Sequence, residues 1–177
     1  TGIYIIPAEG GAERKIIEED GAFTRPIWTP DGKDLIFSFR YNDSHTEPDE
    51  SKKKDAPVYR HITRLFYRLD GSGFLPKDRF HIWKLNIASG KMKPLTHGKY
   101  DETQPAISRD GNWIVFISNR SQDPDLHINN EELFIIPSSG GKIKKVPTPL
   151  GPKAVPKFSP NGKMIVYVGH AKPEDTM

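Results

Sequence analysis

Apolar residues in this chain come in short runs set between proline- and glycine-bearing turns, and one such arrangement returns three times. The stretch QPAISRDGNWIVFISNR, residues 104–120, reads as strand, turn, strand, and its copies are PIWTPDGKDLIFSFR from Pro26 and PKFSPNGKMIVYVGH from Pro156. In each copy a Pro is followed five residues on by Asp-Gly or Asn-Gly and then by an almost unbroken apolar run. Asp-Gly and Asn-Gly supply the positive φ angles of a tight hairpin at little steric cost, so each copy predicts two antiparallel strands. Asp31, Asp110 and Asn161 are read as turn residues.

A second pattern recurs beside the first. GIYIIPAEGGAERKII at 2–17 returns as HIWKLNIASGKMKPLT at 81–96 and as ELFIIPSSGGKIKKVP at 132–147. Each has an apolar and aromatic strand, a small-residue turn ending in Gly, and a shorter basic strand. The first pattern repeats at offsets of 79 and 51 residues (Pro26, Pro105, Pro156), and the second at the same two offsets (Ile3, Ile82, Leu133). Nine residues separate the last residue of each second pattern from the next hairpin proline: Ile17 to Pro26, Thr96 to Pro105, Pro147 to Pro156. Two patterns sharing one set of offsets define a four-stranded unit of the length of a propeller blade.

Strand composition places that unit in space. In the copy at 104–147 the strands are expected near Gln104–Ser108, Trp113–Ser118, Leu133–Pro137 and Ile143–Val146. The second is apolar on both faces, with Trp113, Val115 and Ile117 on one and Ile114 and Phe116 on the other, so both faces must be covered. Radially stacked blades give that environment. The fourth carries Lys142, Lys144 and Lys145, which suits an outer edge strand. The fold class is therefore all-β, a partial β-propeller of four-stranded antiparallel blades. Its parts are an outer half-blade over 1–17, a blade over 25–96 with an insertion at 41–80, a blade over 104–147, and an inner half-blade over 155–170. Three blades' worth of sheet falls short of the four to eight that close a ring. The chain also starts inside an apolar alternation, so we expect a fragment of something longer or a homo-oligomer of two chains that closes a six-bladed propeller.

Composition narrows the function without fixing it. The 177 residues carry 26 basic and 23 acidic side chains, a net charge of +3, which gives no electrostatic mandate for nucleic acid or an anionic membrane. There is no cysteine, which removes disulfides, thiolate nucleophiles and cysteine-ligated zinc and favours a reducing, cytoplasmic setting. No run approaches the ~18 apolar residues of a membrane span.

The Pro-x-x-[Ser/Thr]-x-[Asp/Asn]-Gly hairpins and Gly-Gly turns resemble TolB-like, WD-like propeller repeats. The insertion narrows the resemblance. ITRLFYRLDGSGFL at 62–75, with Tyr67-Arg68-Leu69-Asp70-Gly71-Ser72-Gly73-Phe74 its most telling part, and HIWKLNIASGKMKPLTHGKYDETQPAISRDGNWIVFISNRSQDPDL after it, look like the N-terminal propeller of prolyl oligopeptidase family serine peptidases, the acylaminoacyl-peptidase-like branch above all. The resemblance implies a propeller that filters access for short peptides and a C-terminal α/β-hydrolase domain carrying Ser, Asp and His. A nucleophile elbow needs Gly-x-Ser-x-Gly between strand and helix. Gly71-Ser72-Gly73 and Ser138-Ser139-Gly140-Gly141 lack that spacing, so no catalytic residue is assigned within this chain, and a stand-alone TolB-like interaction propeller is the alternative.

The remaining candidates carry bland readings beside sharp ones. His45, His61, His81, His97, His127 and His170 show no i, i+4 zinc spacing and read as surface or turn residues, so no metal or other cofactor is assigned. Asp123, Asp125, Asn129, Asn130, Glu131 and Glu132 offer calcium-favoured oxygens, but the fixed spacing and the Gly of an EF-hand loop are missing, which points to a solvated loop. Asp101 and Glu102 could form an acid–base pair, yet their place at a strand entry favours turn hydrogen bonding. The insertion interleaves cations and aromatics from Tyr59 to Arg68. Three readings stay open: stacking of a single-stranded nucleic acid, forked carboxylate recognition of a peptide, and an apolar satellite of Ile62, Leu65, Phe66 and Leu69 with snorkelling arginines. Arg64, Tyr67 and Arg68 are the candidate substrate contacts. The spacing of Val58, Ile62, Leu65, Phe66 and Leu69 fits a helix, while the residue types favour strand.

Overall fold

The computed structural model describes residues 1–42, 62–70 and 73–172, and every described element is a strand. Fourteen strands run β1 (Gly2–Ile5), β2 (Arg14–Glu18), β3 (Gly21–Trp28), β4 (Asp34–Tyr41), β5 (Arg68–Leu69), β6 (Gly73–Phe74), β7 (His81–Asn86), β8 (Met92–Pro94), β9 (Glu102–Ile107), β10 (Trp113–Ser118), β11 (Glu132–Pro137), β12 (Lys144–Val146), β13 (Lys153–Phe158) and β14 (Ile165–Gly169). They form two four-stranded antiparallel sheets, ordered β3-β4-β7-β8 and β9-β10-β11-β12, flanked by the pairs β1-β2 and β13-β14. This is the expected half-blade, two blades and half-blade. β5 and β6 make a separate small hairpin.

The two-faced strands explain the stacking. On β10, Ile114 and Phe116 join Ile36, Ile82, Leu95, Phe134 and Ile136 in one core, while Val115 and Ile117 join Leu133 in another that reaches Phe158, Ile165 and Tyr167. On β4, Ile36 faces the first of these cores, and Leu35, Phe37 and Phe39 face a third, shared with Ile3 and Leu85. Each sheet is thus roofed by its neighbours. Burial of this kind contributes roughly 1.5–3 kcal/mol per large side chain before entropy is charged. Phe23, Phe39, Tyr41 and Trp83 add edge-on and tilted ring contacts within the third core. At the outer edge, Lys145 pairs with Glu132 and the Lys144 ammonium sits 5.6 Å from the Trp113 ring centroid.

The hairpin turns are made differently from the expectation. A two-residue turn would put both Asp and Gly at positive φ, but only the glycines take it: Gly32 (φ 67°), Gly111 (76°) and Gly162 (70°). The loop is longer by two residues and is closed by a hydroxyl. Thr29, Ser108 and Ser159 each accept a hydrogen bond at Oγ from the N–H five residues on and donate from it to Asp31, Asp110 or Asn161. The same three carboxylate or amide oxygens accept the N–H two residues downstream. The motif that reads as Asp-Gly is therefore a Ser/Thr-x-Asp/Asn-Gly turn with a side-chain lock, an Asx arrangement in which the hydroxyl matters as much as the Gly.

The described part of the insertion contains the β5-β6 hairpin and no helix, so residue type prevails over apparent periodicity there. The charged stretch read as a loop lies largely at 43–61, outside the described residues, as do Tyr59, Arg60, His45 and His61.

Candidate functional site

Connections leave the blades at two ends with different chemistry. One end holds the locked turns and the Gly turns. The other holds the insertion, the loop 119–131 between β10 and β11, and the links 95–101 and 147–152 between blades. At this second end a cleft of about 340 Å³ lies between insertion and loop, lined by Arg64, Leu65, Arg79, Lys99, Asp123 and Asp125 among others.

Arg64 makes the cleft. Its guanidinium forks onto Asp125, Nε to Oδ2 at 3.2 Å and Nη2 to Oδ1 at 2.9 Å, and the Phe66 N–H donates to the same Oδ2 at 3.0 Å. Burial works to raise the Asp125 pKa, but the Arg64 bond, the Phe66 N–H and the charges of Arg64 and Arg79 together hold it below the ordinary carboxylate value. The loop 119–131 is closed on itself by Asn119, whose amide donates to the His127 carbonyl at 2.6 Å and whose oxygen accepts from Ser121. The Arg64–Asp125 ion pair therefore joins the insertion to a loop that is closed on itself. The fork of Arg64 is filled from within the chain, so in this geometry it orders the rim.

Tyr67 and Arg68 stand elsewhere. They lie at and beside β5, with Tyr67 tilted over Phe74 at a 6.2 Å ring separation and the Arg68 guanidinium 5.8 Å from the same ring. Both are exposed, as are Leu65, Leu69 and Phe74. The hairpin thus presents an apolar surface with one cation on it. Among the described residues, the cleft lined by Arg64 does not include Tyr67 or Arg68.

Asp101 and Glu102 do not face each other. Asp101 accepts from Arg79 and from the Phe80 N–H, both at 2.9 Å. Glu102 is buried and takes His81 Nδ1 at 3.1 Å and Arg120 Nη2 at 2.5 Å. Arg120 also stacks over Phe134 at 4.4 Å. These ion pairs tie β7 of one blade to β9 and β10 of the next; Asp101 accepts an N–H of the link as expected of a strand-entry residue, whereas Glu102, expected in turn hydrogen bonding, is a buried strand residue held by His81 and Arg120. Among the described residues, no three His, Cys, Asp or Glu side chains gather to hold a metal.

Two features lie outside what the sequence reading found. Lys153 is buried, and its ammonium donates to the carbonyls of Glu131, Pro149 and Gly151 at 2.7, 2.7 and 2.9 Å, while its N–H donates to the Glu131 carboxylate. Burial lowers its pKa and raises that of Glu131. Three carbonyls saturate the ammonium donors, which marks a structural clamp between the last blade and the half-blade. The second is a repeated bulge. Arg25, Gln104 and Val155, each just before a hairpin proline, have φ of 49°, 52° and 50°, and each first strand shifts register there. A left-handed residue before proline is sterically disfavoured. Three copies at one position make it part of the design of the inner strands. The bulges converge on a groove of about 330 Å³ lined by Arg25, Ile27, Gln104, Pro105, Val155 and Pro156. The Gln104 side chain accepts the Val155 N–H at 2.8 Å, linking neighbouring bulges across the groove.

Known proteins place this fold. No family model matches the chain. It is 31% identical over 124 residues to YuxL of Bacillus subtilis, named as an uncharacterised peptidase, covering 70% of this chain and 19% of that protein. It is 24% identical over 188 residues to Atu1656 of Agrobacterium fabrum, covering 95% and 61%. The chain thus spans less than two thirds of either relative. Among solved structures, TolB from Acinetobacter baumannii matches with a TM-score of 0.61 at 16% identity over 95% of this chain and 32% of that one. A candidate TolB from Agrobacterium tumefaciens gives 0.62 at 22% identity over 98% and 48%. Acylaminoacyl peptidase in complex with a chloromethyl ketone gives 0.55 at 12% identity over 83% and 21%. The fold is that of TolB-like β-propellers, which peptidase-associated propellers share.

Proposed function

We propose that this chain is a substrate-access and binding segment of the propeller of a serine peptidase, of the acylaminoacyl-peptidase or oligopeptidase type, that acts on short peptides. The similarity to YuxL carries the reading, because that relative is named a peptidase and the matched region takes up only 19% of it. A catalytic domain has ample room in the remainder. The chain holds no Gly-x-Ser-x-Gly sequence, so on this reading a C-terminal α/β-hydrolase domain supplies Ser, Asp and His, and the propeller acts by geometry. Its contribution is a rim that selects what enters. The exposed hairpin bearing Tyr67 and Arg68 meets the peptide through an aromatic face and a guanidinium, and Arg64 holds that rim against the loop 119–131.

Serine-directed fluorophosphonate labelling tests the reading, applied to the 177-residue chain and to the full-length parent polypeptide, with hydrolysis of acyl-peptide chromogenic substrates as the second readout. The parent should label and turn over, and the chain alone should do neither. Labelling of the chain itself would overturn the assignment of chemistry to another domain. A parent that neither labels nor hydrolyses favours the second reading, a TolB-like protein-interaction propeller. That reading draws on the match over 98% of the chain to the candidate TolB.

A further inference from the structure

Four arginines at the insertion end of the blades are partly buried among the described residues, and three of them hold a carboxylate. Arg64 holds Asp125, Arg79 holds Asp101 and Arg120 holds Glu102. The fourth, Arg40 near the end of β4, holds none among the described residues. Its Nε is buried and meets no acceptor, and its guanidinium lies over the Phe80 ring, 4.5 Å from the centroid. Two acids whose charges reach it are engaged elsewhere: Asp101 accepts from Arg79 and the Phe80 N–H, and Asp78 accepts the Tyr41 N–H at 2.8 Å. Burial lowers the Arg40 pKa, and the charges of Arg64 and Arg79 add to that effect while Asp101 opposes it. The group stays a cation all the same, because a guanidinium does not deprotonate in a protein.

Arg40 stands beside the cleft already described. Phe80, on which it lies, follows Arg79, and Arg79 lines the cleft together with Arg64 and Lys99. A guanidinium laid over a ring keeps its N–H edge for acceptors in its own plane, and a carboxylate presents two oxygens at the matching spacing. Lys99 is exposed on the same cleft, its ammonium 5.2 Å from the Tyr100 ring centroid. The surrounding charges balance, with Arg40, Arg64, Arg79 and Lys99 against Asp78, Asp101, Asp123 and Asp125. Such a balance offers no strong field to gather a dianion such as phosphate. It does offer one fork without an acceptor, which suits a single carboxylate.

We propose that Arg40 is a carboxylate-binding residue beside the Arg64–Asp125 cleft, and that it takes the C-terminal carboxylate of a short peptide. That the ligand is a peptide rests on the peptide-access reading above; that it is a carboxylate rests on Arg40 itself.

Binding of N-acetyl-trialanine, as the free acid and as the C-terminal amide, tests the site by calorimetry. The full-length parent polypeptide is used after treatment with a serine-directed fluorophosphonate, so that turnover does not intrude. The acid should bind about tenfold tighter than the amide, the size of one charge-assisted hydrogen bond. Arg40→Ala should abolish that preference. Arg40→Lys keeps the charge but not the fork, so it should retain only part of the preference, and it serves if the alanine variant does not fold. Arg109→Ala removes the same charge at a hairpin turn away from the cleft and should keep the preference whole. Equal binding of acid and amide by the unaltered protein, an undiminished preference in the Arg40 variants, or an equal loss in Arg109→Ala would each overturn the proposal. Inorganic phosphate displacing the acid more strongly than acetate would overturn the choice of carboxylate. Labelling is read on the same sample: a parent that prefers the acid but does not label upholds the carboxylate site while the peptidase reading falls.

Discussion

Single side chains do more than their type suggests where they recur at one repeat position. Ser108 is buried, and its hydroxyl both donates to Asp110 and accepts the Trp113 N–H at 2.9 Å. Replacing it with Ala leaves an orphaned N–H, and Ser108→Ala should cost about 1–2 kcal/mol in a urea melt. The Arg64–Asp125 pair gives a pH signature. The folded-state pKa of Asp125 lies below its unfolded value, so the pair contributes stability that is present above the unfolded pKa of about 3.9 and is lost as pH falls through the lowered value. Wild type and Asp125→Asn should therefore differ in melting temperature near neutral pH and converge in acid; a constant difference down to pH values below the carboxylate range would exclude the assignment. The Asp or Asn in each turn was legible from Asp-Gly and Asn-Gly. The Ser or Thr was legible as part of the repeat but its role as a lock was not, because that role shows only in the distance from its hydroxyl to the Asp or Asn.

At the scale of elements, the strands were legible because two-faced apolar runs have few homes, and β10 sits where its residues require. What sequence could not show was the bulge at Arg25, Gln104 and Val155. Proline normally drives the residue before it to extended backbone, so local preference points the wrong way, and only the convergence of three inner strands makes the departure tolerable. Lys153 was missed for a related reason: a lysine in a strand reads as exposed, and besides the local Pro149 and Gly151 carbonyls its cage needs that of Glu131, which belongs to the neighbouring blade. Two glycines separate conformational from steric demand. Gly111 has φ of 76° and a Cβ there would meet nothing nearer than 3.7 Å, so Gly111→Ala should cost about 1 kcal/mol by backbone strain alone. A Cβ on Gly21 would lie 2.3 Å from the Arg40 carbonyl and 2.5 Å from the Phe39 ring, so Gly21→Ala should be much the more damaging in the same thermal melt. Equal losses would show that the β3-β4 contact yields easily.

For the molecule as a whole, fold and site differ in how far they could be read. The offsets of 79 and 51 fix the blades, because a repeat reports on itself. The rim does not repeat, and nothing in the run from Ile62 to Arg68 says that Arg64 would be claimed by Asp125, 61 residues further on. On the peptide-access reading proposed above, the different surroundings of Arg64 and Arg68 predict a division in kinetics. In the full-length parent, Arg68→Ala should raise KM for short peptides several-fold with the melting temperature unchanged, whereas Arg64→Ala should shift both. Unchanged KM in both variants would remove the insertion from substrate recognition.

The locked turns have a practical corollary. All three lie at the end of the blades away from the cleft, each closes through its own side chains, and Lys33, Asn112 and Lys163 at their tips are half-exposed or exposed. A fluorophore or a surface tether attached at Lys33 or Asn112 would lie at the end of a complete blade away from the rim. The protein can thus be held by one end and interrogated at the other, with its orientation known in advance.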